Sequence, residues 1–170
     1  MNIKENKRKS KSLQELTMKD NFMFGAAMAK TENCKGLLER ILSISIERIE
    51  VDKERTMIYH PEYKGIRLDV YAKDEHSTHY NVEMQAVRKS ALGKRTRYYH
   101  SQMDMELLKS GHDYEELPDS YVIFICDFDP FYQGKYCYTF KSICEETYNA
   151  KLQDGRTTIF LSTEGKNQDE

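Results

Sequence analysis

The chain has 170 residues, with 26 Lys+Arg against 28 Asp+Glu and a net charge of -2. That is enough length for one domain with its own core, and it excludes a polycation that binds nucleic acid over its whole surface. The 12 Tyr and 7 Phe supply packing area that a disordered polar chain lacks, and no apolar run approaches the ~20 residues that cross a bilayer, so no membrane partner is expected.

The first stretch, 1–12, carries Lys4, Lys7, Arg8, Lys9 and Lys11 with few apolar residues and reads as a disordered basic arm. No apolar segment follows it, so it is not a secretory leader. The four cysteines, Cys34, Cys126, Cys137 and Cys144, form no CxxC pair. They read as reduced thiols of a cytoplasmic protein, packed as small buried residues.

Order is predicted from residue 13. Thr17 and Asp20 resemble a capping box ahead of Met18, Phe22, Met23, Ala26 and Ala27 at helical spacing. A second helical piece runs through Leu37, Leu38, Ile41 and Leu42, and from Ile44 to Tyr59 the period shortens towards strand. His60 to Gly65 reads as a loop. Ile66 to Ala72 alternates apolar and polar, Lys73 to Thr78 is turn-like, and His79 to Gln85 alternates again, so two strands form a hairpin. Leu92 to Lys109 predicts a long helix ending before Gly111. The apolar run Tyr121–Cys126 predicts a central strand buried on both faces. Tyr136–Phe140 and Thr157–Leu161 predict two more, the second after the Asp154-Gly155 turn. This order is α/β or α+β, with a mixed central sheet flanked by helices.

The hairpin concentrates the chemistry. Alternation puts Arg67, Asp69 and Tyr71 on one face, opposed by Leu68, Val70 and Ala72; on the next strand Asn81, Glu83 and Gln85 share a face, opposed by Val82 and Met84. In the simplest register Asp69 and Glu83 are cross-strand neighbours, with β-carbons roughly 5 Å apart. Carboxylates that close repel unless a positive charge lies between them. A divalent cation suits such a pair, and Mg²⁺ in particular is held by one or two carboxylates with water and phosphate at its other positions. On the residues alone, a polar, solvent-facing side of an edge hairpin is the competing explanation.

Asp69 followed by Glu83-Met84-Gln85 resembles the D…(D/E)xK signature of the PD-(D/E)xK nuclease superfamily, with Gln85 at the usual lysine position. RLDVYAKD (67–74), YNVEMQ (80–85), KRTRYYHSQMD (94–104), SYVIFICDFDPF (120–131), YTF (138–140) and LQDGRTTIFLSTEGK (152–166) together resemble its recombination-promoting nuclease/transposase family. The resemblance implies a restriction-endonuclease-like core over 13–166, followed by a tail at 167–170 in which the C-terminal helices common in the family are missing. It implies DNA as substrate and phosphodiester cleavage dependent on Mg²⁺, with Mn²⁺ as a substitute. Asp69 and Glu83 would be metal ligands. Gln85 would orient the attacking water or a phosphate oxygen, although its amide has neither charge nor acid–base capacity. Many superfamily members place an accessory acid on the first helix, which points to Asp20. Arg95 and Arg97 match the family's RxRYY block, and with Lys94 and Arg88 they are expected to contact nucleic-acid phosphates. A homodimer is a further expected partner state. Two readings remain beside the nuclease: a catalytically impaired DNA-binding module, and an oligomeric regulatory protein built on the same fold.

Overall fold

A computed structural model describes residues 15–58 and 61–166. The basic arm at 1–12, residues 13–14 of the expected domain, the tail at 167–170 and His60 lie outside the described residues. The chain forms helices α1 (Asn21–Met28) and α2 (Thr31–Leu42), then strands β1 (Ile49–Lys53), β2 (Thr56–Met57), β3 (Ile66–Arg67), β4 (Val70–Asp74) and β5 (His79–Gln85). Helix α3 (Leu92–Leu107), a 3₁₀ turn at Tyr114–Glu116, and strands β6 (Ser120–Cys126), β7 (Cys137–Phe140) and β8 (Arg156–Ser162) complete it.

Six strands make one mixed sheet in the order β1-β4-β5-β6-β8-β7, while β2 and β3 pair separately as a two-stranded ribbon. Strands β5, β6 and β8 run parallel, and β1, β4 and β7 are antiparallel to their neighbours. A parallel pair needs a crossover connection, and α3 supplies it between β5 and β6. The result is the predicted mixed sheet with flanking helices.

Period-two alternation divides the core into two layers. On one face Val70, Ala72, Tyr80, Val82, Ile123 and Ile159 pack against Phe24, Met28, Cys34 and Leu38 of α1 and α2. On the other, Tyr71, Val122, Phe124, Cys126 and Phe160 pack with Tyr99 and Met103 of α3. Strand β6 lies inside the sheet with both faces covered, which is why its sequence is a continuous apolar run. Gly155, at φ +64° ahead of β8, sits at the predicted turn in a left-handed conformation that glycine adopts without strain.

Four expectations need correction. The first helix starts at Asn21, not at Met18. The Asp20 N–H bonds the Thr17 carbonyl at 2.9 Å and the Asp20 carboxylate accepts the Thr17 N–H at 2.9 Å, so these residues close a turn before the helix. The strand expected over 66–72 is broken at Leu68 and Asp69, because Ile66–Arg67 pair with β2 while Val70–Asp74 join the main sheet. Leu68 consequently packs on the α3 side, not with Val70 and Ala72. The polar face of the hairpin is not a solvent face, since Asp69, Asn81, Glu83 and Gln85 are all buried. Finally, all four cysteines are free, but only Cys34 and Cys126 are buried; Cys137 is exposed and Cys144 half-buried.

Among the described residues no helix is long and apolar enough to cross a membrane. Phe160 anchors the sheet end furthest from the hairpin, its ring 5.5 Å from Phe124, 5.1 Å from Phe131 and 5.9 Å from Phe140. Phe160→Ala is expected to cost about 3–5 kcal/mol, read as a lowered urea midpoint with an unchanged denaturant slope.

Candidate active site

The site begins with the break between β3 and β4. The Leu68 N–H bonds the Arg55 carbonyl at 2.8 Å and the Glu54 N–H bonds the Asp69 carbonyl at 3.2 Å, which fixes the bend. The β4–β5 register pairs Val70 with Val82 and Tyr71 with Asn81; one step further along, Asp69 faces Glu83. The Asp69 N–H donates to Glu83 Oε1 at 3.2 Å. Asp69 Oδ2 accepts the Met84 N–H at 3.3 Å, and Asp69 Oδ1 accepts Asn21 Nδ2 from α1, also at 3.3 Å. The two carboxylates therefore form one cluster, as the strand register predicts.

Helix α3 closes this cluster with a single side chain. Arg95, in its first turn, donates from NH2 to Glu83 Oε2 at 2.8 Å and from NH1 to Gln85 Oε1 at 2.8 Å. Its Nε donates to the Tyr99 hydroxyl at 2.7 Å, one helical turn on. The guanidinium also lies over the Tyr99 and Phe124 rings, 5.0 and 5.1 Å from their centroids, so cation–π attraction adds to the ion pair. Gln85 is held from both ends: its oxygen accepts Arg95 and its Nε2 donates to the Val87 carbonyl.

Burial and mutual repulsion make the pair electrostatically expensive. Glu83 is 1% exposed and Asp69 5%. Burial, then the Asp69 charge, pushes the Glu83 carboxyl up to about 7, against the pull of Arg95. Burial also raises Asp69, against the Met84 N–H and the charges of Arg95 and Arg67. Two hard, adjacent carboxylates short of positive charge fit a divalent cation. Among the described residues no group of three or more His, Cys, Asp or Glu is placed to hold a metal. An ion here would rest on Asp69 and Glu83 alone and take its other ligands from water, backbone or phosphate, as Mg²⁺ commonly does.

Beside Arg95 opens a cleft of about 700 Å³ whose cationic lining is Lys64, Arg67, Lys89, Lys94, Arg95 and Arg97; among the described residues no acid lines it. Lys94 and Arg97, two of the residues expected to contact phosphates, both line this cleft. Arg88 does not join them: its guanidinium is sandwiched between Phe128 and Tyr132, at 4.5 and 4.3 Å, and donates to the Asp129 carbonyl. Asp20 closes the turn with Thr17, and its neighbour Asn21 is the α1 residue that reaches Asp69. Asn21, Lys64 and Arg67 join the site without being expected there from the sequence. The Lys64-Gly65-Ile66-Arg67 spacing was the available signal for the last two, whereas nothing in the sequence marks Asn21. Asn81 is fully buried on the Glu83 face of β5, where its side chain works against the burial that raises the Glu83 pKa.

The raised Glu83 pKa has a signed consequence. Between its ordinary value near 4.5 and about 7, the folded state binds more protons than the unfolded state, so this group loses stability as pH rises through that window. Glu83→Gln is expected to remove that slope, of at most ~1.4 kcal/mol per pH unit. Urea unfolding of both proteins from pH 4.5 to 8 measures it, and the wild type should fall relative to the variant.

A comparison with protein-family models matches PD-(D/E)XK nuclease family transposases over residues 18–168. No curated protein and no solved structure matches. The match takes in the paired acids, the basic helix and all six strands of the mixed sheet, and the chain belongs to the PD-(D/E)XK nuclease family transposases, with a restriction-endonuclease-like fold.

Proposed function

We propose that this chain is a metal-dependent DNA endonuclease that hydrolyses phosphodiester bonds at Asp69 and Glu83. The observation that carries the proposal is the buried carboxylate pair whose Glu83 is bonded by Arg95, a residue that also bonds Gln85 and lines a cleft carrying six cations. Asp69 and Glu83 would hold Mg²⁺ or Mn²⁺. When bound, the ion supplies charge neutralisation at the scissile phosphate and an acidified water.

The chain's own residues do the rest. Asn21 and the Met84 N–H orient the Asp69 carboxylate, and the Asp69 N–H with Arg95 orients Glu83. Arg95 supplies the full positive charge that Gln85 lacks at the lysine position. Its side chain is 31% exposed, so it faces both the carboxylates and the cleft, where charge on a pentacoordinate phosphate develops. Gln85 acts as a positioning residue, because its amide oxygen aims Arg95. Lys64, Arg67, Lys89, Lys94 and Arg97 contact backbone phosphates and set the register of the DNA without reading bases.

Supercoiled-plasmid nicking at low salt, with Mg²⁺, Mn²⁺ or EDTA, tests this. Asp69→Asn and Glu83→Gln should reduce metal-dependent nicking to background. Arg95→Gln should slow it by about 10²-fold, the usual cost of removing one charge-stabilising donor, while Arg95→Lys should retain more of it. Nicking that survives both carboxylate variants would sink the assignment. DNA binding with no metal-dependent nicking in the wild type would favour the catalytically impaired DNA-binding module.

A further inference from the structure

Helix α3 has a second basic flank. Lys94, Arg95 and Tyr98 face the cleft beside the carboxylates. Arg97, with Gly93, Thr96 and His100, also faces a separate cleft of about 230 Å³, closed on its far side by Lys141 and Ser142 after β7 and by Arg156 and Thr158 of β8. Arg97 lines both clefts, so the two meet across the exposed face of α3.

Three cations converge on this smaller cleft: Arg97, Lys141 and Arg156. Two acids oppose them in part. Asp154 lies 3.8 Å from Arg156 Nε and accepts the Ser142 hydroxyl at 2.7 Å, and the half-buried Asp104 feels the Arg156 charge. The floor is polar and neutral. His100 is buried, with Nδ1 2.9 Å from the Ser120 hydroxyl and Nε2 3.1 Å from the Thr158 hydroxyl. Burial, then the Arg156 charge, pulls its pKa down to about 4.

Guanidinium and ammonium donors beside hydroxyls over an uncharged floor match the oxygens of a phosphate group. The shared Arg97 favours a polyanion that spans both clefts over an isolated anion. We propose that the Arg97–Lys141–Arg156 cleft is a second phosphate-binding subsite, which anchors the nucleic-acid backbone on the far side of α3 from the carboxylate pair. This rests on the DNA-cleaving assignment above. The subsite adds footprint and affinity, and it takes no part in bond cleavage.

The test is fluorescence anisotropy of the full chain with a labelled DNA duplex of about 20 base pairs, in EDTA, across a salt series. The subsite variant is Lys141→Gln/Arg156→Gln; Arg40→Gln/Lys109→Gln changes the same charge elsewhere. Each phosphate contact contributes about 0.9 to the slope of log affinity against log salt. The subsite variant should therefore lose between about 1 and 2 from that slope and bind roughly tenfold more weakly at low salt, with the control at the wild-type slope. Its nicking rate at saturating DNA should stay at the wild-type value.

Equal slopes in wild type and subsite variant, with DNA binding intact, would overturn the subsite and leave the nuclease assignment standing. Absence of DNA binding by the wild type would overturn both. Thermal shifts with inorganic phosphate and with a nucleoside monophosphate separate the sources. A Tm rise lost in the subsite variant while its DNA salt slope is unchanged would assign the cleft to a free phosphate and overturn the nucleic-acid proposal. If the double variant does not fold, Lys141→Gln alone should lower the slope by about 0.9.

Discussion

Two carboxylates kept dry beside one another impose the main constraint on this domain. A buried acid repelled by a second acid favours its protonated form, and only positive charge or hydrogen-bond donors make the ionised pair tolerable. The structure supplies both from four elements: Asn21 from α1, the Asp69 N–H at the β3–β4 break, the Met84 N–H of β5, and Arg95 from α3. Removing one partner of such a cluster leaves an uncompensated buried charge, which is far costlier than losing an exposed ion pair. On the proposed assignment, the same deficit of positive charge that penalises the buried pair would favour a divalent ion between the two carboxylates.

That constraint explains a helix that looks wrong for its position. Helix α3 covers a face of the central sheet, yet its sequence, LGKRTRYYHSQMDMEL, is mostly polar. The sheet it covers is polar too, since Asp69, Asn81, Glu83 and Gln85 share that face with Phe124 and Val122. A purely apolar helix would leave those groups unpaired at several kcal/mol. Arg95 satisfies two of them at once, and its guanidinium lies over the Tyr99 and Phe124 rings. Thr96, Tyr99, His100 and Met103 recur at helical spacing as the buried stripe, mixing polar anchors with packing residues.

Much of this was legible from residue pattern alone. Alternation over His79–Gln85 and the opposing strand is enough to set the register, because a one-residue slip would turn Val70, Val82 and Met84 off the apolar layer. That register already makes Asp69 and Glu83 neighbours. The apolar run at 121–126 likewise announces a strand buried on both faces. What stayed hidden is tertiary. The break at Leu68–Asp69 depends on Arg55 and Glu54, more than a dozen residues upstream, which accept and donate the bonds that bend the chain. Asn21 reaches Asp69 only because α1 docks over the sheet, and Asp20, the better candidate by residue type, is spent on its own turn. Arg88 reads as one more cation in a basic run, but aromatic rings of the loop after β6 capture it.

On the proposed assignment, Arg95 would restore at the Gln85 position the charge that a glutamine lacks. A lysine there would bring its cation from the strand that carries Glu83. With glutamine, the cation must come from outside the strand, and the amide becomes useful as an acceptor that aims it. Arginine bonds Tyr99, Gln85 and Glu83 from three separate nitrogens of one planar fork, whereas a lysine would have to reach all three from a single nitrogen. Because Arg95 is anchored in the first turn of α3, the arrangement makes site geometry depend on how that helix is seated on the sheet. The same seating sets the direction of Lys94 and Arg97, so the charge at the carboxylates and the basic surface around them are positioned by one rigid element. A chain with a net charge of only -2 can thus present a cleft lined by six cations and, among the described residues, no acid, because the local field depends on the arrangement of charge on α3 and its neighbours and not on the sum over the surface.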